Sequence, residues 1–334
     1  MNAIRVKRWQ GFRVFGIDGS RAYLPDSALM RKEFGTHANQ SKRFSMAQMM
    51  VCYDVLNQIC FTSRIDQSSC DEIGVAIEWV EGLPDDSLTI YDRGYASFTL
   101  IYLLTYHQKD FIIRCQPKFN QVVQAFVHSK KSSALVSFPI THRGQRHLKQ
   151  LGWAVGKDTS VVVRLVKVRL ETGETEVLIT SLTDLQRFPT QVFKELYFLR
   201  WGVETYYDRL KNQLQIEVFT GHKPEAVRQE FYALIFVTNL QTLLISDCEA
   251  ELSEANQCRK YQHHINYNVT LGLMKNKMVT LFLEKDSAEI YQQLQNKFLK
   301  HTEAIRPNRT YKRFKDKNKR RGKYQTWSNY RRAI

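Results

Sequence analysis

The stretch from Tyr197 to Lys211, YFLRWGVETYYDRLK, constrains the fold of this chain more than any other. Read as a helix at about 100° per residue, Tyr197, Arg200, Glu204 and Lys211 fall within an arc about 60° wide. Leu199, Val203, Tyr206, Tyr207, Leu210 and Leu214 gather on a separate apolar stripe, broad enough to dock a helix onto a core. Such a helix is anchored along one side and presents a phenol, a guanidinium, a carboxylate and an ammonium together along another. Many amphipathic helices carry mixed charges on a solvated face and do no chemistry. The pattern gains meaning only if partner groups come from elsewhere in the chain.

Taken in order, the chain supplies an α/β scaffold for that helix. Arg13 to Asp18, RVFGID, predicts a first strand, followed by a polar, loop-like segment containing Pro25 and Gly35. Met46 to Ile65 holds two apolar runs split by Asp54 to Asn57 and predicts a hairpin, giving three consecutive antiparallel strands. Asp71 to Glu81 has helical spacing, opens with acids suited to a helix N-terminus and is stopped by Gly82-Leu83-Pro84. Strands at Ser87 to Tyr91 and Asp110 to Cys115, with a helix near Ser97 to Tyr106 between them, imply a parallel portion of the sheet. From Gln116 to Ser181 the runs turn β-like, with a hairpin over Val161 to Leu182, and read as an all-β insertion. Helix resumes at Thr190, starts again at Pro224 to run to about Ile245, and dominates Glu249 to Lys300. The divisions expected are 1–115, 116–185, 186–300 and 301–334.

Composition points to a partner. The 334 residues carry 49 Lys plus Arg against 33 Asp plus Glu, a net charge of +16, which favours a polyanion and most simply nucleic acid. Most of that excess lies beyond His301, where twelve basic residues, among them Lys312, Arg313, Lys319, Arg320 and Arg321, face two acids and are interleaved with aromatics. Such a run is a solvated arm, or a phosphate-binding arm when nucleic acid is present. Six scattered cysteines without a C-x-x-C pair argue against a zinc ribbon and a disulfide framework, and suit reduced thiols in a cytoplasmic, nucleoid-associated setting. No apolar run approaches the ~18 residues of a membrane span, and the first residues lack the apolar segment of a signal peptide.

Three acids stand where such a scaffold could gather them: Asp18 at the end of the first strand, Asp92 just past the strand Ser87 to Tyr91, and Glu204 on the later helix. Strand ends and a helix packed over them meet at the carboxyl edge of an α/β sheet. Three carboxylates at one edge repel one another unless they hold a hard cation such as Mg²⁺. Two such ions about 3.5–4 Å apart assist in-line phosphoryl displacement. Asp18-Gly19 and Asp92-Arg93-Gly94 are also ordinary turn signals, and Asp54, Asp208 or Glu217 could be drawn into other triads, so spacing leaves the choice open.

The spacing Tyr197-x2-Arg200-x3-Glu204-x6-Lys211, together with IDG at Ile17 to Gly19 and YDRGY at Tyr91 to Tyr95, resembles the DDE transposases of bacterial insertion sequences, specifically the insertion-sequence-four family. The resemblance covers roughly Arg13 to Leu244. It implies a ribonuclease-H-like catalytic domain with a β-rich insertion and a helical C-terminal region, and Mg²⁺-dependent DNA strand cleavage and strand transfer with Mn²⁺ as a substitute. It implies Asp18, Asp92 and Glu204 as ligands of two metal ions, and Tyr197, Arg200 and Lys211, with Arg93 beside the second acid, on the phosphates of double-stranded DNA. Trp201 either stacks on a displaced base or packs as a buried indole. Synapsis of two DNA ends implies a dimer on DNA. Family members usually carry an N-terminal end-recognition domain, whereas here the first strand begins near residue 13. Two other functions fit the same residues: a fragment that binds DNA without cutting it, and a ribonuclease-H-like nuclease that only hydrolyses.

Overall fold

The computed structural model describes residues 6–38, 43–170, 173–275, 277–283 and 287–306. Its elements are β1 (Arg13–Tyr23), α1 (Ala28–Phe34), β2 (Thr36–Ala38), β3 (Arg43–Asp54), β4 (Ile59–Gln67), α2 (Glu72–Trp79), β5 (Ser87–Tyr91), α3 (Phe98–Tyr106), β6 (Asp110–Cys115), α4 (Gln121–His128), β7 (Ser133–Pro139), α5 (His142–Gln150), β8 (Ser160–Arg169) and β9 (Thr175–Thr180). Then come α6 (Val192–Phe198), α7 (Trp201–Asp208), α8 (Pro224–Ser246), α9 (Glu249–Gln257), β10 (His263–Ile265), α10 (Tyr267–Lys275), α11 (Met278–Leu283), α12 (Ser287–Lys300) and β11 (Thr302–Ala304). The described residues form two compact units, one of residues 6–23 and 31–209, the other of residues 24–30 and those described between 210 and 306.

The first unit is built on one mixed sheet in the order β4-β3-β1-β5-β6-β9-β8-β7, with β2 pairing the start of β3. β1, β5 and β6 run parallel, and β3 runs antiparallel to β1 and to β4, so that β1, β3 and β4 form a meander. The five residues of β5, SLTIY, are all buried, as a strand covered on both faces must be. One face packs on α2, α3 and α4 through Ile17, Tyr91, Leu100, Leu104, Ile113 and Phe126. The other packs on α6 through Val14, Leu88, Ile90, Leu178, Phe193 and Leu196.

Two expectations change. The polar stretch after Asp18 is not all loop: β1 runs on to Tyr23 because β3 is long enough to pair with it as far as Tyr23 opposite Met46, and α1 follows. Residues 116–181 are mixed rather than all-β, since α4 and α5 lie among the strands, capped by Asn120 and Thr141. Their strands do not close on themselves. β9 pairs with β6 from Ile112 opposite Thr180 to Cys115 opposite Val177, so the region widens the central sheet.

Arg164, on β8, is fully buried and has no carboxylate among its hydrogen-bond partners in the structure. It donates to Ser133 Oγ (2.8 Å), Phe188 O (2.6 Å), Leu182 O (3.3 Å) and Thr190 Oγ1 (3.3 Å), with its guanidinium 5.0 Å from the centre of the Phe193 ring. It thereby ties the segment that leads into α6 to the sheet.

The second unit is largely helical, with a core of Leu244, Ile245, Ile265, Met274, Ile290, Leu294 and Phe298. Buried Gln241 is held by Tyr267 O and Thr270 Oγ1, both at 2.6 Å. Helix accounts for most of 249–300, as expected, but β10 pairs antiparallel with β11. Among the described residues no single helix is long and apolar enough to cross a membrane, and no disulfide joins cysteines. The basic tail, including Lys312, Arg313, Lys319, Arg320 and Arg321, lies outside the described residues.

Candidate active site

The motif Tyr197 to Lys211 is not one straight helix. Between α6 and α7 the backbone tightens into i to i+3 bonds, from Arg200 N to Tyr197 O (3.1 Å), Gly202 N to Leu199 O (2.9 Å) and Val203 N to Arg200 O (3.1 Å). A 3₁₀ turn advances about 120° per residue, so residues three apart stack one above the other. That turn brings Gly202 against Val55, where an added Cβ would lie 3.1 Å from the Val55 Cβ. Past Asp208 the chain passes into a π-type turn over Arg209–Gln213, so the regular helical wheel no longer governs Lys211. Lys211 lies in the second unit, half-buried, and burial lowers its pKa against the opposing pull of Glu217.

α7 is seated by its apolar face, as its pattern requires. Val203, Tyr206 and Tyr207 are buried, and Tyr206 stacks on Tyr53 of β3 with ring centres 4.4 Å apart. The Tyr207 hydroxyl donates to Asp18 O (2.9 Å) and Met49 O (3.1 Å), fixing α7 to β1 at the first acid. The parallel register that pairs Ile17 with Tyr91 makes Asp18 and Asp92 the next residues on two neighbouring strands. Beyond Ile17, β1 pairs only with β3 among the described residues. Asp18 is thus inside its strand, at the point where the neighbour ends, rather than at the strand's own end.

Two of the three predicted acids meet on Arg200. Its guanidinium hydrogen-bonds Glu204 and lies 3.7 Å from Asp18 Oδ2, an ion pair linking α7 to β1. The Tyr197 hydroxyl reaches Asp92 Oδ1 at 3.4 Å, and Arg114 on β6 lies 3.9 Å from the same oxygen while pairing with Glu176 at 2.9 Å. Tyr197 and Arg200, predicted on a wet face, are 8% and 6% exposed. They turn inward and hold carboxylates because the 3₁₀ turn rotates them toward the strand ends. Burial pushes the Tyr197 hydroxyl up to about 12. Burial opposes the charge on Arg200, but the hydrogen bond it donates to Glu204 and the charges of Tyr197, Glu204 and Asp92 together outweigh it, so its pKa rises. Trp201 resolves the other way: it is 54% exposed, and Phe198 beside it 67%, so the buried-indole alternative fails. Arg93 is exposed, in the single turn Arg93–Tyr95 after Asp92.

Asp18 reports the electrostatics. Burial pushes its carboxyl from an ordinary 3.8 up to about 6; the Gly19 N–H and Arg200 oppose this, and the charges of Glu72 and Asp92 add to it. Among the described residues no group of three or more His, Cys, Asp or Glu side chains is gathered tightly enough to hold a metal ion. Arg200 lies between the carboxylates that would do so. The residues nonetheless fit a divalent cation. Their donors are hard oxygens, the ligand type that divalent cations take, while Arg200 Nε, buried without a hydrogen-bond partner among the described residues, is a donor suited to an anionic oxygen rather than to the cation.

Sequence reasoning missed Arg114, Tyr207, Gln48, Tyr95 and Glu72 as members of this neighbourhood. Glu72 carried a visible signal, an acid opening a helix, which reads equally well as dipole compensation.

The family described as transposase DDE domain matches residues 9–240. The chain belongs to that family. Members use divalent metal ions, and transposases act on DNA. The chain is 26% identical over 289 residues to the transposase InsG for insertion sequence element IS4 of Escherichia coli (strain K12), an overlap of 84% of this chain and 62% of that protein. Among solved structures it overlaps a piggyBac transposase synaptic complex with hairpin DNA, with a TM-score of 0.46, 10% identity, and coverage of 86% of this chain and 53% of that one.

Proposed function

We propose that this chain catalyses metal-dependent DNA cleavage and strand transfer at the ends of a bacterial insertion sequence. The observation that carries the reading is the convergence of Asp18 and Asp92, set side by side by the β1–β5 register, with Glu204 linked to Asp18 through Arg200. The strand order of three antiparallel strands followed by two parallel ones supports a ribonuclease-H-like core, with residues 116–185 as its insertion. Asp18, Asp92 and Glu204 would hold two Mg²⁺ ions, with Mn²⁺ an acceptable substitute. When bound, divalent cations neutralise charge on the phosphoryl oxygens and lower the pKa of water.

The chain's own residues orient the reaction. Tyr207 fixes α7 to β1, Tyr197 and Arg114 steady Asp92, and Arg200 aligns Glu204 with Asp18. Exposed Trp201 and Arg93 face the solvent side, where a base and a phosphate can meet them; Lys211 and the basic tail add phosphate contacts. In the first step a water oxygen attacks phosphorus, one phosphodiester bond breaks and a 3′-hydroxyl leaves. In the second that hydroxyl attacks a phosphodiester of the target, so one P–O bond forms as one breaks and no protein–DNA bond is needed. Two ends acted on together call for a dimer on DNA, in a nucleoid setting. Supercoiled-plasmid nicking and end cleavage in Mg²⁺ or Mn²⁺ test this. Glu204→Ala and Asp92→Asn should each lower the rate by about a hundred- to a thousandfold; activity that survives either change overturns the assignment.

A further inference from the structure

A fourth acid stands against β1 at Gly19, the residue after Asp18, near enough for its charge to act on Asp18. Glu72 opens α2, and both oxygens of its carboxylate are held by neutral donors: Oε1 by Gln48 Nε2 at 2.8 Å and Oε2 by the Tyr95 hydroxyl at 3.1 Å. Gln48 comes from β3, and Tyr95 ends the turn that begins directly after Asp92. The backbone makes way for the group. An added Cβ on Gly19, the residue after Asp18, would lie 2.5 Å from Gln48 Nε2 and 2.6 Å from Glu72 Cδ. Side-chain Cβ atoms do not approach that closely, so the Gln48–Glu72 pair fills the room left by the missing side chain of Gly19.

A carboxylate needing only an N-terminal helix cap would turn to the helix amides, and here Asp71 already does so, accepting from Ile73 N at 3.1 Å. Glu72 is instead aimed across the sheet and fixed in two directions, and neither of its partners carries positive charge. Negative charge held rigidly beside a metal ligand raises the affinity of the site for a cation without touching it.

We propose that Glu72 is a positioning residue of the candidate metal site: an outer carboxylate that strengthens divalent-cation binding from beside Asp18, held there by Gln48, Tyr95 and the missing side chain of Gly19. This rests on the reading of Asp18, Asp92 and Glu204 as metal ligands. Its range is set by outer-shell partners elsewhere, whose loss weakens metal affinity by about 10–100-fold.

The test measures Mn²⁺ binding to the full-length, DNA-free protein by water-proton relaxation, alongside the melting temperature in chelator. Glu72→Gln should weaken the Mn²⁺ dissociation constant by about tenfold while the metal-free protein melts within a few degrees of wild type. Tyr95→Phe, which keeps the carboxylate and releases one oxygen, should give a smaller shift in the same direction. A Glu72→Gln protein that binds Mn²⁺ within twofold of wild type, whatever its melting temperature, overturns the proposal. Asp18→Asn separates the two readings. If it abolishes binding and Glu72→Gln does not weaken it, only the role of Glu72 fails. If wild type and Asp18→Asn bind alike, the metal-site reading fails and the role of Glu72 with it. Should Glu72→Gln not fold, Tyr95→Phe decides by the same measure.

Discussion

Asp18→Asn should make the metal-free protein more stable, although it removes the first acid of the site. The carboxyl of Asp18 moves from 3.8 to about 6 on folding, chiefly through burial, and its side chain is 23% exposed. At about 1.4 kcal/mol per pKa unit, the ionised group costs the folded state about 3 kcal/mol at neutral pH, which is a ceiling. The opposing pull of Arg200, 3.7 Å away, is already part of that shift and is not subtracted again. Asn keeps an oxygen for the Gly19 N–H, which donates to Oδ1 at 2.9 Å. The gain is therefore up to about 3 kcal/mol, or roughly 6–12 °C in melting temperature for a unit of this size. The sign with pH follows from proton binding. The folded state holds the Asp18 proton more tightly than the unfolded chain, so wild-type stability falls as pH rises from about 4 to about 6. The variant lacks that loss, so its advantage should grow across this interval and level off above it. The assay is differential scanning calorimetry in chelator from pH 4 to pH 8, repeated with saturating Mg²⁺, which should stabilise wild type and not the variant. A variant less stable than wild type at pH 8 in chelator, or a difference that does not change with pH, would refute the electrostatic account of the site.

Gly19→Ala should cost about 1 kcal/mol, because the new methyl group meets the ends of the Gln48 and Glu72 side chains at 2.5–2.7 Å and one of these flexible ends must leave its hydrogen-bonded position; urea unfolding followed by circular dichroism reads the loss, and a neutral result would mean that the Gln48–Glu72 pair yields freely. Arg164→Met should cost about 3 kcal/mol, since Phe188 O and Leu182 O lose their donor inside the core; the same unfolding measurement checks it, and an unchanged midpoint would show that water or another donor replaces the guanidinium.

The scaffold was legible where burial imposes a pattern and illegible where close approach does. β5 and β6 have the bounds read from their sequence runs because a strand covered on both faces is built largely of apolar residues, with only small hydroxyl side chains among the buried positions of β5. The same rule failed over residues 116–181, where α4 and α5 are short, amphipathic and interrupted by polar residues that make poor helical signals alone but good caps. At the site, the identities of Asp18, Asp92 and Glu204 were available from spacing and from family resemblance. Their mutual arrangement was not, because a helical wheel assumes one period throughout. The i to i+3 bonds at Arg200 change the period for two residues, which suffices to turn a guanidinium predicted to face solvent into the group that bridges two acids. Glu72 lay beyond any local pattern. Its relation to Asp18 spans β3, β4 and a helix N-terminus and depends on the absence of one Cβ atom at Gly19. A turn signal at Asp18-Gly19 and an acid opening α2 were its traces in the sequence. In the fold that glycine makes no turn: β1 continues through it to Tyr23, and its small size leaves room for a carboxylate.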